Sequence, residues 1–225
     1  MKKIKLPLRR SRKPTRKEII KKEIHGESFV WWNDLSKNET AKLKKALRYA
    51  NGENDMQKFL EKHPRYLVVK LGGGHGRWVI PKKRLGSEHV TDFIIGEKHS
   101  YGYDWMAVEL EPLNVKMFTR KGDPSQRLIH AIRQIQDWRA WLTKNQNYAS
   151  RPSKEKGLEL IDIDQNIHGL ILIGRRSDID PKTNALRKQM IKDLKIEIHS
   201  YDYLLDSGHF GTIKDKKLHL TQLDF

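Results

Sequence analysis

Cysteine is absent from this chain of 225 residues, which excludes disulfides and thiolate metal sites. Long apolar runs are absent too. No stretch approaches the ~20 residues needed to span a bilayer as a helix. The amino terminus lacks the apolar middle of a secretory signal. As an organelle transit peptide it falls short, having a single Ser among its first 22 residues. Acids are scarce: 28 Asp and Glu stand against 45 Lys and Arg, for a formal net charge of +17. The imbalance is steepest at the start, where residues 1–22 hold eleven Lys or Arg and one acid, Glu18. Such an arm has too little to bury to fold alone. It reads either as a solvated tail or as a nucleic-acid arm in which Arg9, Arg10 and Arg12 touch phosphates, with salt-sensitive affinity from counterion release.

What is present is enough apolar sequence for one good-sized domain with appendages. We divide the chain into a basic arm (1–22), a short helical region (23–53), a main domain (54–207) and an extension (208–225). Phe29-Val30-Trp31-Trp32 is an apolar patch. Ser36-Lys37-Asn38-Glu39 is a capping box that opens a helix carrying Leu43, Ala46 and Leu47. Asn54 and Gln57 open a second, closed by Pro64. The period then changes. Tyr66-Leu67-Val68-Val69, Trp78-Val79-Ile80, Thr91-Asp92-Phe93-Ile94-Ile95 and Trp105-Met106-Ala107-Val108-Glu109-Leu110 read as strands. Gly72-Gly73-Gly74-His75-Gly76 lacks the Lys-Ser/Thr ending of a phosphate loop and reads as a hairpin turn.

Asp123-Pro124-Ser125 opens the longest helix, with Leu128, Ala131, Ile132, Ile135, Trp138 and Leu142 as its apolar stripe. The polar stretch 145–156 reads as a surface loop. Leu170-Ile171-Leu172-Ile173-Gly174 is apolar throughout, as in a strand covered on both faces. A helix over 181–194, a strand over 196–199 and a short helix over 201–205 complete the reading. The order predicts an α/β fold, with a mixed central sheet flanked by helices.

The chemistry lies in acids set within strand-like sequence. An unpaired buried charge is costly, so such carboxylates need a cation or a proton. Asp92 opens an apolar segment. Glu109 and Glu111 lie two apart, hence on one face of a strand. Asp92, Glu109 and Glu111 are therefore candidate metal ligands. Mg²⁺ is the natural ion, being a hard cation that takes one or two carboxylates together with phosphate. The plain alternative for these acids is a solvated hairpin face. His75, His89, His99 and His130 show no metal-ligand spacing and are set aside. Arg84, Arg133, Arg175 and Arg176 suit either phosphate binding or a capping role. Lys116 and Lys121 join the candidate DNA contacts.

A resemblance sharpens this. Phe59-Leu60-Glu61-Lys62-His63-Pro64, Arg84-Leu85-Gly86, Asp92-Phe93, Val108-Glu109-Leu110-Glu111 and Ala131-Ile132-Arg133-Gln134-Ile135-Gln136-Asp137-Trp138 carry it. So do Gly174-Arg175-Arg176 and Ile196-Glu197-Ile198-His199-Ser200-Tyr201-Asp202. Over roughly 54–207 this ordered set resembles the carboxy-terminal nuclease domain of the Shedu anti-phage and anti-plasmid defence proteins, within the PD-(D/E)XK phosphodiesterase superfamily. The resemblance implies a restriction-endonuclease-like core and Mg²⁺-dependent cleavage of double-stranded DNA, with Mn²⁺ substituting. It also implies a cytoplasmic setting in a prokaryotic cell, and a homo-oligomer (dimer or tetramer) or an accessory protein. Asp92 and Glu109 match the metal-binding acids, Glu61 an acid of the first core helix, and Gln134 a Gln on the helix after the catalytic strand. One position departs: the superfamily usually has Lys two residues after the catalytic Glu, where this chain has Glu111. Either Glu111 binds a second metal, or a nearby lysine such as Lys116 substitutes. Otherwise the domain is a weak or inactive DNA-binding module, or a subunit needing a partner.

Overall fold

A computed structural model describes residues 15, 18, 22–31, 35–68, 71 and 76–206. Among the described residues, seven strands form two sheets. Five build the main sheet: β1 (Gly76–Pro81), β4 (Phe93–His99), β5 (Gly102–Leu110), β6 (His168–Leu172) and β7 (Ile196–His199), in the order β1-β4-β5-β6-β7. β1, β4 and β5 pair antiparallel, and β5, β6 and β7 pair parallel. The sheet is therefore mixed, and the helix between β5 and β6 is the crossover that parallel pairing requires. β2 (Arg84–Leu85) and β3 (His89–Val90) make a small hairpin between β1 and β4.

Alternation along the strands splits the core in two. Trp78, Ile80, Ile94, Ala107, Ile171 and Ile198 face one side. There they meet the stripe of α4 (Gln126–Ser150), formed by Leu128, Ala131, Ile132, Ile135, Trp138 and Leu142. Val79, Phe93, Ile95, Val108, Leu110, Leu170 and Leu172 face the other. That side is covered by α1 (Lys37–Tyr49), α2 (Glu53–Lys62), α3 (Arg65–Val68) and α6 (Tyr203–Asp206). α5 (Pro181–Leu194) lays Leu186, Met190, Ile191 and Leu194 against the α4 side. The architecture is mixed α/β, compatible with a restriction-endonuclease-like core.

Local signals explain most boundaries. Ser36 and Glu39 close the expected capping box on α1. Ser125 caps α4, and Asp180 with Pro181 opens α5. Three readings are corrected. Residues 65–68 form a short helix, not a strand. Tyr66, Leu67 and Val68 are all buried, and a short apolar run buried all round carries no period that separates the two. Residues 145–150 continue α4 rather than forming a loop. The helix kinks at Asn145, whose Nδ2 donates to the Trp141 carbonyl, and goes on to bury Ala149. The last helix starts at Tyr203, two residues later than expected. The Gly72–His75 turn, Trp32, most of the basic arm and the 208–225 extension lie outside the described residues.

Gly96 shows how tightly the sheet is covered. It pairs with Trp105 across β4 and β5, and a Cβ there would sit 2.6 Å from the indole. The ring lies over the bare backbone. Gly96→Val is expected to destabilise the fold by about 1–3 kcal/mol through overpacking, read as a lower urea midpoint at unchanged slope.

Candidate active site

Acids from β5, from the segments just before β4 and just after β5, and from one helix converge where β5 ends. Asp92 immediately precedes β4 and is only 7% exposed. Its Oδ2 accepts the Leu110 amide at 2.8 Å, which seats it against β5 between Glu109 and Glu111. Its Oδ1 receives the Lys82 ammonium at 2.6 Å. Glu109 and Glu111 project from β5 and its continuation toward α4, the side opposite Leu110, as alternation requires. Both are buried, at 6% and 1% exposure. The strand end is held from three directions. The Glu111 amide donates to the Leu172 carbonyl, the Tyr201 hydroxyl donates to the Glu111 carbonyl at 2.9 Å, and the Gly174 amide donates to the Pro112 carbonyl.

α4 answers with two side chains one turn apart. Gln134 Nε2 donates to Glu109 Oε1, and His130 Nδ1 lies 3.1 Å from Glu111 Oε1. Glu109, Glu111 and His130 bring three potential ligand atoms within 4.8 Å of one another. Glu111 Oε2 is buried and has no hydrogen-bond partner, although Arg127 Nη1 approaches to 3.6 Å. On the other side of the sheet, Glu53 in the first turn of α2 adds a fourth carboxyl.

The electrostatics follow from this crowding. Burial pushes the Glu109 carboxyl up to about 10, and Asp92, Glu111 and Glu53 push the same way. Burial also raises Glu111, against the lowering effect of the His130 hydrogen bond and of Arg127. Glu53 is raised by burial and then by Asp92 and Glu111. The Tyr201 phenol is held well above its ordinary value, first by burial and then by the four acids. Lys82 and Arg127 answer part of this charge, yet Glu109 and Glu111 still stand above the ordinary carboxylate value, so a proton or a further cation would relieve the cluster.

The structure brings together Asp92, Glu109, Glu111 and Gln134. It leaves Glu61 apart: that residue is exposed and accepts the Gln57 amide at 2.7 Å. Glu53, two turns earlier on the same helix, is the acid that couples to the cluster. Lys116 is exposed and lines a groove with Arg120 and Arg127, whereas the lysine that touches the carboxylates is Lys82. Lys121, Arg84 and Arg133 are exposed. Arg175 is engaged internally, with a two-pronged bond to Asp202 and a third to the Leu47 carbonyl, and Arg176 pairs with Asp206. Arg9, Arg10 and Arg12 lie outside the described residues.

Sequence reasoning missed His130, Lys82 and Glu53. His130 had a readable signal, since it stands four residues before Gln134 and so shares its helix face.

A search of curated proteins finds no match. A family model described as Shedu protein SduA, C-terminal, matches residues 50–205. That span runs from the residue after α1 through β7 into α6 and holds every acid of the cluster. The chain therefore belongs to the Shedu SduA family, whose C-terminal domain it carries.

Proposed function

We propose that this chain is a Mg²⁺-dependent endonuclease that hydrolyses phosphodiester bonds in double-stranded DNA, on a PD-(D/E)XK-type core. Membership of the Shedu family implies anti-phage defence, and phage or plasmid DNA is the natural target. One observation carries the reading: Asp92, Glu109 and Glu111 are buried together, with an oxygen of Glu111 left without a hydrogen-bond donor. Arg127 approaches that oxygen only to 3.6 Å, beyond hydrogen-bond distance, and a buried carboxylate oxygen without a bonded partner costs free energy that a bound metal ion would offset.

The donor set fits a divalent metal. Glu109 and Glu111 would hold it through oxygen beside the His130 imidazole, which widens the choice toward Mn²⁺, and Asp92, seated on the Leu110 amide between them, is the further carboxylate within the cluster. When bound, such an ion activates water and neutralises charge at phosphorus. The protein's own groups do the rest. Gln134 fixes the Glu109 carboxylate, and His130 and Arg127 fix Glu111. Tyr201 and the Leu172 carbonyl hold the strand end rigid beneath them. Arg120 and Lys116, with Arg127, offer phosphate contacts beside the acids. In the reaction, water forms a new O–P bond and one bridging P–O bond breaks. The water's proton passes to a carboxylate, and the leaving oxygen takes a proton from solvent.

A plasmid digest tests this. Supercoiled plasmid is expected to be nicked or linearised with Mg²⁺ or Mn²⁺, to survive in chelator, and to be cut again when metal is restored. Cleavage undiminished in chelator would reject the metal role. A second reading, a DNA-binding module on an inactive nuclease fold, draws on Glu111 standing where the superfamily usually has Lys. Salt-dependent DNA binding without cleavage in either metal would select it.

A further inference from the structure

We propose that Lys82 supplies the positive charge at the scissile phosphate that this chain lacks beside Glu109. The inference rests on the nuclease reading above and names a further residue for it. Three observations carry it. The Lys82 ammonium lies 2.6 Å from Asp92 Oδ1, in contact with the acid cluster. The Lys82 side chain is 49% exposed while the Asp92 side chain is only 10% exposed, so the ammonium stands at the mouth of the cluster. It can turn from Asp92 to an incoming phosphate without leaving the site.

The third observation is the backbone. Lys82 adopts φ +47, a left-handed conformation uncommon for a residue with a Cβ. The strain is held by two main-chain bonds, from the Lys82 amide to the Asp92 carbonyl at 2.9 Å and from the Thr91 amide to the Lys83 carbonyl at 3.0 Å. Lys82 is thus tied to Asp92 twice, through its amide and through its ammonium. Strained residues persist where the surroundings over-determine them, and they cluster at functional sites. Other cations near the cluster are engaged differently. Arg127 pairs with Glu111, and His130 hydrogen-bonds it.

A lysine in this place has a definite physical task. Charge grows on the phosphoryl oxygens as water attacks, and an ammonium brought to them in a half-desolvated site stabilises it. Before DNA arrives, the same ammonium neutralises Asp92. It therefore competes with a metal ion for that carboxylate, and this separates a catalytic role from a merely structural one.

The test compares wild type, Lys82→Met and Lys82→Arg, each checked for folding by its melting transition. Cleavage of plasmid is measured beside metal affinity without DNA, by titration with Mn²⁺ or a luminescent lanthanide. Lys82→Met, which keeps length but not charge, is expected to cut roughly 100-fold more slowly. It should bind metal as well as wild type or about 2- to 5-fold more tightly, as loss of a half-exposed ion pair allows. Lys82→Arg is expected to recover part of the rate. Unchanged cleavage by Lys82→Met overturns the proposal. So does a joint loss of cleavage and metal binding, which would make Lys82 a prop for Asp92. If wild type itself cuts no DNA in Mg²⁺ or Mn²⁺, the nuclease reading falls and the role of Lys82 falls with it.

Discussion

Asp92→Asn is expected to lower DNA cleavage by roughly 10³-fold or more while leaving the protein folded. The size follows from where the charge sits. Asp92 is the acid that joins β4 to β5, with one oxygen on the Leu110 amide and the other facing Lys82. Asparagine keeps one oxygen for the Leu110 amide, so the packing of the strand end survives. It removes the negative charge that would share a cation with Glu109 and Glu111. Asp92→Ala is less informative, because it also strips the Leu110 amide of its acceptor in a buried place, at a cost of about 1–3 kcal/mol. Plasmid cleavage and the metal-induced rise in melting temperature should disappear together in Asp92→Asn. Cleavage at the wild-type rate would mean that the acids meet for a reason other than catalysis.

Some of this site was legible in the chain and some was not. Glu109 and Glu111 were readable because alternation along a strand is strict, and an apolar run fixes which face each residue takes. Gln134 rested on the family resemblance, with its place at the edge of the α4 stripe in support. Glu53 and Glu61 show the limit. With Gln57 between them, they stand at i, i+4 and i+8 on α2 and share one face of that helix. Which end of that face meets Asp92 depends on how the helix docks, and docking is decided by Met56 and Leu60 against the far side of the sheet. Lys82 was hidden for a similar reason. It lies ten residues before Asp92 and returns to it only because the β2–β3 hairpin folds out between them, and two-residue strands leave no period to read. The helix over 65–68 was lost to the same ambiguity of short apolar runs.

Glu109→Gln is expected to do two opposite things, abolishing cleavage and stabilising the metal-free fold. The Glu109 carboxyl is pushed up to about 10 by burial and by three neighbouring acids, from an ordinary value of 4.5. For an acid raised in this way, the folded state holds the proton more tightly than the unfolded chain. Its contribution to stability is therefore complete below about pH 4.5 and is lost as pH climbs toward 10. In chelator, wild type should lose stability relative to Glu109→Gln between pH 5 and pH 8, reaching roughly 1–3 kcal/mol at the upper end. His25 and His63, both lowered by burial, titrate in each protein and cancel, so the difference reports Glu109 together with the acids coupled to it. Metal should invert the order. A divalent ion at 100 times its dissociation constant adds about 2.7 kcal/mol to whichever protein binds it. Wild type should gain that at pH 8, and Glu109→Gln should gain little. Urea midpoints across pH, with and without Mg²⁺, measure both effects. A Glu109→Gln protein that is less stable than wild type in chelator at pH 8 would show that the carboxylate is already compensated within the fold, and the cluster would then have no need of a metal.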